Sequence, residues 1–155
     1  MKTHSILFTA ALFCCAVVLG DDFRELSRVH TVYIVGMSNG LDQFLASRLT
    51  SSDVLWVVLD PAKADAVLTD KLDEAFWGWL NSRFPARESS GKDDLRSRNV
   101  SHPSGAIRGT VFLIDPKSSL VLWSTYDQAN RASPAELDQA ALRITSRLKT
   151  GLHKK

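Results

Sequence analysis

The chain reads as a single α/β domain with a mixed sheet of four to five strands, two helices packed on one face and a short aromatic helix. Three features of the 155-residue sequence lead there. Two apolar runs each stop at Asp-Pro and are each followed by a second apolar run. Val57-Val58-Leu59-Asp60-Pro61 precedes Ala66-Val67-Leu68-Thr69, and Val111-Phe112-Leu113-Ile114-Asp115-Pro116 precedes Leu120-Val121-Leu122-Trp123. Proline fixes its own φ, lacks a donor and drives the residue before it extended, so each pair marks a strand end. The third feature is a closing helix with a one-sided apolar stripe and a start signal at Ser133-Pro134.

The first stretch stands apart from the fold. Lys2 and His4 precede the apolar run from Ile6 to Leu19, and Gly20 then meets Asp21-Asp22. A short basic start, an apolar core and a small residue at a polar boundary read as a cleaved secretory signal over residues 1–20. The run falls short of the about 20 apolar residues that a membrane span needs. Cys14 and Cys15 both lie inside it. A lipid-attachment cysteine wants a small residue before it, which the Phe13-Cys14-Cys15 order does not supply. Cleavage near Gly20 leaves a domain over residues 21–155 without cysteine, which excludes disulfides, thiol catalysis and cysteine-ligated zinc. Loss of Lys2 leaves 18 basic residues against 17 acidic ones. Near neutrality argues against a nucleic-acid partner, which requires a concentrated basic patch.

Thr31 to Val35 is β-branched and aromatic, apolar on both faces, as a covered central strand would be. Ser38-Asn39-Gly40 ends it and offers cap candidates for a helix whose Leu41, Phe44, Leu45 and Leu49 recur at spacings of three and four. Ser51-Ser52-Asp53 breaks that helix, and Val54 to Leu59 returns as a strand. Asp60 is placed to cap the turn at Pro61, after which Ala66 to Lys71 resumes as a strand. Lys117-Ser118-Ser119 between two strong runs predicts a β-hairpin with a short loop. In the last element, Ser133 is the N-cap, Pro134 the first helical position and Glu136 a capping-box partner. Leu137, Ala140, Ala141, Ile144 and Leu148 make its stripe, and Gly151 is the expected stop.

Between these halves, Asp73 to Phe84 predicts a helix carrying Phe76, Trp77, Trp79, Leu80 and Phe84, apolar almost all round. A helix of that kind is either fully buried or presents a second face to a partner, and tryptophan is favoured at interface hot spots. Phe76, Trp77, Trp79 and Phe84 are therefore the partner-binding candidates. The stretch 85–108 is a long polar loop within the same domain.

Little in the sequence carries chemistry. Asp60, Asp65, Asp70, Asp73 and Glu74 lack the tight alternating spacing of a calcium loop, so no metal site is expected and the carboxylates read as caps. Ser38, Asn39 and Gly40 follow a strand and open a helix, the right place for an anion at a helix N-terminus, but the glycine and lysine of the phosphate fingerprints are missing. A hydrolase reading would use His102 with Asp93 or Asp94 on the long loop; no Gly-x-Ser-x-Gly elbow accompanies them. Asn99-Val100-Ser101 is a glycosylation sequon. No catalytic residue and no cofactor is assigned.

The order of strand, the helix Leu41 to Leu49, strand, Ala64-Asp65-Ala66-Val67-Leu68-Thr69-Asp70-Lys71-Leu72, hairpin and closing helix resembles a class of periplasmic α/β domains. These are the N-terminal domain of the Tol-system propeller protein, the outer-membrane activators of penicillin-binding proteins and the curli-secretion lipoproteins. The hairpin Phe112-Leu113-Ile114-Asp115-Pro116 to Val121-Leu122-Trp123-Ser124 also looks like that of small secreted bacterial proteins of unknown function. The resemblance implies a non-enzymatic assembly or regulatory module, periplasmic or secreted, that binds another envelope protein and keeps no membrane span after signal cleavage.

Overall fold

The computed structural model describes residues 25–85, 109–127 and 133–153. Five strands form one mixed sheet: β1 (Thr31–Ile34), β2 (Trp56–Val57), β3 (Ala66–Thr69), β4 (Thr110–Ile114) and β5 (Val121–Tyr126), in the order β2-β1-β3-β4-β5. β1 runs parallel to β2 and β3, while β4 is antiparallel to both β3 and β5. The helices are α1 (Leu41–Ser51), α2 (Glu74–Arg83) and α3 (Pro134–Leu152), with 3-10 turns at Ser38–Gly40 and Pro61–Lys63. This is the mixed α/β domain that the sequence predicts.

The centre of the sheet is β3, whose four residues are all buried. Successive side chains of a strand point to opposite faces, and the two cores divide along that alternation. Ala66 and Leu68 join Val32, Val111 and Leu113 beneath α1 and α3, where Leu45, Leu49, Ala141, Ile144 and Leu148 meet them. Val67 and Ile114 point the other way, into a smaller cluster closed by Phe76 and Leu80 of α2. Burying each such leucine or isoleucine contributes about 2 kcal/mol, so the larger core dominates stability. Arg48 of α1 locks the helix pair by donating from Nε to Asp138 Oδ1 of α3 at 2.8 Å.

The connection from β2 to β3 is short and is held by one carboxylate. Asp65 Oδ2 accepts from the N–H groups of His30 at 3.0 Å and Thr31 at 2.9 Å, and the Asp65 N–H donates back to Thr31 Oγ1 at 2.9 Å. The Thr31 hydroxyl also donates to the Lys63 carbonyl, 3.1 Å away. Asp60 caps the intervening turn as expected, with Oδ1 accepting from Ala62 N–H at 3.0 Å.

Several boundaries differ from the sequence expectation. The run Val54 to Leu59 contributes only Trp56 and Val57 as strand, because Val54 is still bonded to α1 through its N–H to the Leu49 carbonyl and Pro61 then turns the chain. The strand expected to run to Lys71 ends at Thr69, whose hydroxyl ties the chain to Lys71. The Thr31 segment ends at Ile34 and lies one strand in from an edge, the central place belonging to β3. Neither Ser38 nor Asn39 caps α1. Gly40 is the N-cap, and Asn39 (φ 59°) and Gly40 (φ 77°) are both left-handed, a reversal that a short polar residue and glycine accommodate.

Gly151 does not end α3, which continues to Leu152. A Cβ built there would lie 3.1 Å from Trp123 Cδ1 and Nε1, so the glycine admits the indole of β5 against the helix. Gly78 of α2 is the converse case, with no described residue within 4 Å of an added Cβ. Thermal unfolding of Gly78→Ala is expected to show a gain of about 1 kcal/mol, the helix-propensity difference. Gly151→Ala is expected to lower the melting temperature, because the propensity gain is outweighed by displacement of Trp123.

Candidate functional site

The aromatic helix is built onto the sheet face opposite α1 and α3. Asp73 starts it, with Oδ1 accepting from the Phe76 N–H at 2.8 Å. At 3.6 residues per turn, Phe76, Trp77, Trp79, Leu80 and Phe84 fall within an arc of about 160°. The expectation of a helix apolar almost all round is thereby corrected: the spacing is one-sided, and Ala75, Gly78 and Ser82 face outward on the exposed side. Phe76 and Leu80 are buried on Val67 and Ile114, and Trp77, Trp79 and Phe84 are half-buried around them. Trp79 stacks on Tyr33 of β1 with ring centres 5.6 Å apart and planes at 20°. Phe76 meets Trp77 edge-on at 5.2 Å, and Trp79 meets Phe84 edge-on at 6.4 Å. Offset and edge-on aromatic pairs contribute roughly 0.5–1.5 kcal/mol beyond their buried area. Covering the sheet therefore accounts for one side of these rings, and their outer rims remain in solvent.

The Ser38–Gly40 turn lies beyond the carboxyl ends of β1 and β3, where the chain departs in opposite directions along the sheet. Open α/β sheets place ligands at such a switch point. Here the backbone donors are already engaged by carboxylates: Ser38 N–H donates to Asp70 Oδ2 at 2.9 Å and Met37 N–H to Asp42 Oδ1 at 3.1 Å. Asp70 Oδ1 is buried without a hydrogen-bond partner among the described residues. Two acidic groups around the turn oppose the anion that Ser38, Asn39 and Gly40 suggested.

Asp115, Asp65 and Asp127 hold parts of the fold together. Asp115 Oδ1 accepts from Lys117 N–H at 2.9 Å and shapes the hairpin. Asp65 is raised by partial desolvation, but the His30 and Thr31 N–H groups and the Thr31 hydroxyl outweigh that, so it titrates below the usual carboxylate range. Asp127, its side chain only 4% exposed, is gripped by two arginines of α3. Arg143 donates from Nε and Nη2 to its two oxygens at 2.9 and 2.7 Å, and Arg147 Nη1 lies 3.1 Å from Oδ2. The Arg143 hydrogen bonds are the main reason that the Asp127 carboxyl is held below its ordinary value, against the opposing effect of burial. Among the described residues no three His, Cys, Asp or Glu side chains are grouped to hold a metal. Asp93, Asp94, Asn99 and His102, and the expected loop apart from Pro85, lie outside the described residues.

An open cleft of about 190 Å³ lies near the C-terminal ends of α1 and α3, lined by Val29, Asp53, Lys149 and His153 among others. Lys149 stands where the carbonyls at the end of α3 favour positive charge, which explains it without a ligand.

Sequence reasoning missed Trp56 and Leu59, which are 73% and 94% exposed. The run containing them looks like a covered strand. Only the length of β2 and its place at the sheet edge, both tertiary properties, put them in solvent. It also missed the Asp127 cluster, whose partners are 16 and 20 residues away in sequence. No helix among the described residues is long and apolar enough to cross a membrane. No family model matches the chain, and neither the curated proteins nor the solved structures yield a match.

The Asp127 cluster predicts the acid limb of stability. A carboxyl whose folded pKa is lowered adds stability that is complete above its unfolded value, about 3.9, and that is lost as pH falls through the lower folded value. The melting temperature should be flat from neutral pH to about pH 5 and decline below about pH 4. In Asp127→Asn the neutral-pH stability should drop by about 1.5–3 kcal/mol, the range for hydrogen bonds to a charged group, with a shallower acid decline.

Proposed function

We propose that the protein is a non-catalytic, periplasmic or secreted module that binds another envelope protein through the outer side of α2. The observation that carries the reading is the shape of that surface. Ala75, Gly78 and Ser82 form a shallow exposed arc beside the half-buried rim of Trp79, with Trp77 and Phe84 on the far flank. Small residues allow close approach of a partner backbone, and tryptophan rims supply rigid apolar contact area at low entropic cost. Gly78 adds weight. In mid-helix it sacrifices about 1 kcal/mol relative to alanine, yet no described residue occupies the space a side chain would take. The apolar run over residues 6–19 and the resemblance to periplasmic α/β domains support the compartment and the class of partner in this reading.

The test uses a photo-cross-linking side chain at exposed Asn81, in cells that make the protein natively. A cross-linked partner should be recovered from the wild-type background and from Gly78→Ala. It should be lost in Gly78→Arg, which fills the arc with a long charged side chain and leaves the sheet-facing contacts untouched. Equal recovery in Gly78→Arg, with an unchanged melting temperature, would contradict the proposal.

A further inference from the structure

We infer that the open edge of β2 pairs with the same edge of a second copy of the chain, extending the sheet across a two-fold axis at Val57. The sheet has two edges, and they differ in protection. At the β5 edge, Arg147 of α3 donates from Nη1 to the Tyr126 carbonyl at 2.9 Å and approaches Thr125 Oγ1 at 3.3 Å, so a cation sits on the end of that strand. Charged side chains on an edge are the usual defence against strand addition. Among the described residues no cation sits on the β2 edge, whose protection is its two-residue length alone. Leu55-Trp56-Val57-Val58-Leu59 contains neither charge nor proline, and Trp56 and Leu59 are 73% and 94% exposed.

Backbone geometry fixes what can be added. Trp56 N–H donates to the His30 carbonyl at 2.9 Å and Val58 N–H to the Val32 carbonyl at 2.9 Å. In a parallel ladder this turns the intervening residue outward, so Val57 presents its own N–H and C=O away from β1. A residue with both groups outward can lie on a two-fold axis and exchange two reciprocal hydrogen bonds with its symmetry mate. Antiparallel pairing about that axis opposes Trp56 with Val58 of the second copy, and Leu55 with Leu59. Every directly opposed pair is apolar and no like charges face each other, the condition for a self-complementary interface. The second copy carries a matching uncharged strand by construction.

A contact of one short strand pair is small, so a reversible dimer in the micromolar range is expected. Sedimentation velocity of the purified protein from low to high micromolar concentration should show the mass doubling. Two variants probe the contact. Val57→Pro removes the axial donor but no bond to β1, and Leu59→Lys places a charge on a side chain almost wholly in solvent. Both should stay monomeric throughout the range with circular dichroism spectra like the wild type. A wild-type protein that stays monomeric would overturn the inference, as would a dimer that survives both variants. Loss in Leu59→Lys alone would also overturn it, since apolar contact without strand pairing does not need the Val57 N–H.

Discussion

A strand buried on both sides has to be covered twice, and the rest of this fold follows from how β3 is covered. On one face the cover is ample, two helices contributing Leu45, Leu49, Ala141, Ile144 and Leu148. On the other, among the described residues, it is a single helix of ten residues. A helix that short can dry Val67 and Ile114 only with large side chains, because aromatic rings bury about 150–250 Å² each. The aromatic content of α2 is therefore first a packing requirement. Its half-exposed rims are a consequence of one short helix covering a five-stranded sheet.

The same economy of cover leaves the sheet margins bare. β2 enters the sheet over just two residues, and the chain crosses β1 at once through the turn that Asp60 and Asp65 hold. Trp56 and Leu59 remain outside both cores. At the opposite margin Asp127 gathers Arg143 and Arg147 and pins α3 to the end of β5. Asp60, Asp65, Asp73, Asp115 and Asp127 thus act on backbone N–H groups and arginines, closing turns, starting a helix and joining layers.

Much of the fold was legible in the sequence because local chemistry and tertiary need coincide. The Asp115-Pro116 stop, the Ser133-Pro134 start and the stripe through Ile144 are each decided within a few residues, and each appears where expected. Failures occur where a distant partner decides. Gly151 has the look of a helix stop and is instead a gap for Trp123, which is 28 residues away. The run at Val54 to Leu59 has the composition of an inner strand and becomes an edge, since nothing local says that β3 will take the centre. For the candidate surface, the aromatic residues were visible and their one-sided arc could be computed from spacing. The open β2 edge could not, because exposure depends on strand order.

The direct test of this account is the equilibrium denaturation of Phe76→Ala. If one short aromatic helix keeps the inner side of β3 dry, the unfolding free energy should fall by about 3–5 kcal/mol, as for large-to-small changes in a closed core. The denaturant dependence should be unchanged and the loss carried by the midpoint. A variant within about 0.5 kcal/mol of wild type, the scatter of surface substitutions, would contradict it and mean that β3 does not depend on α2.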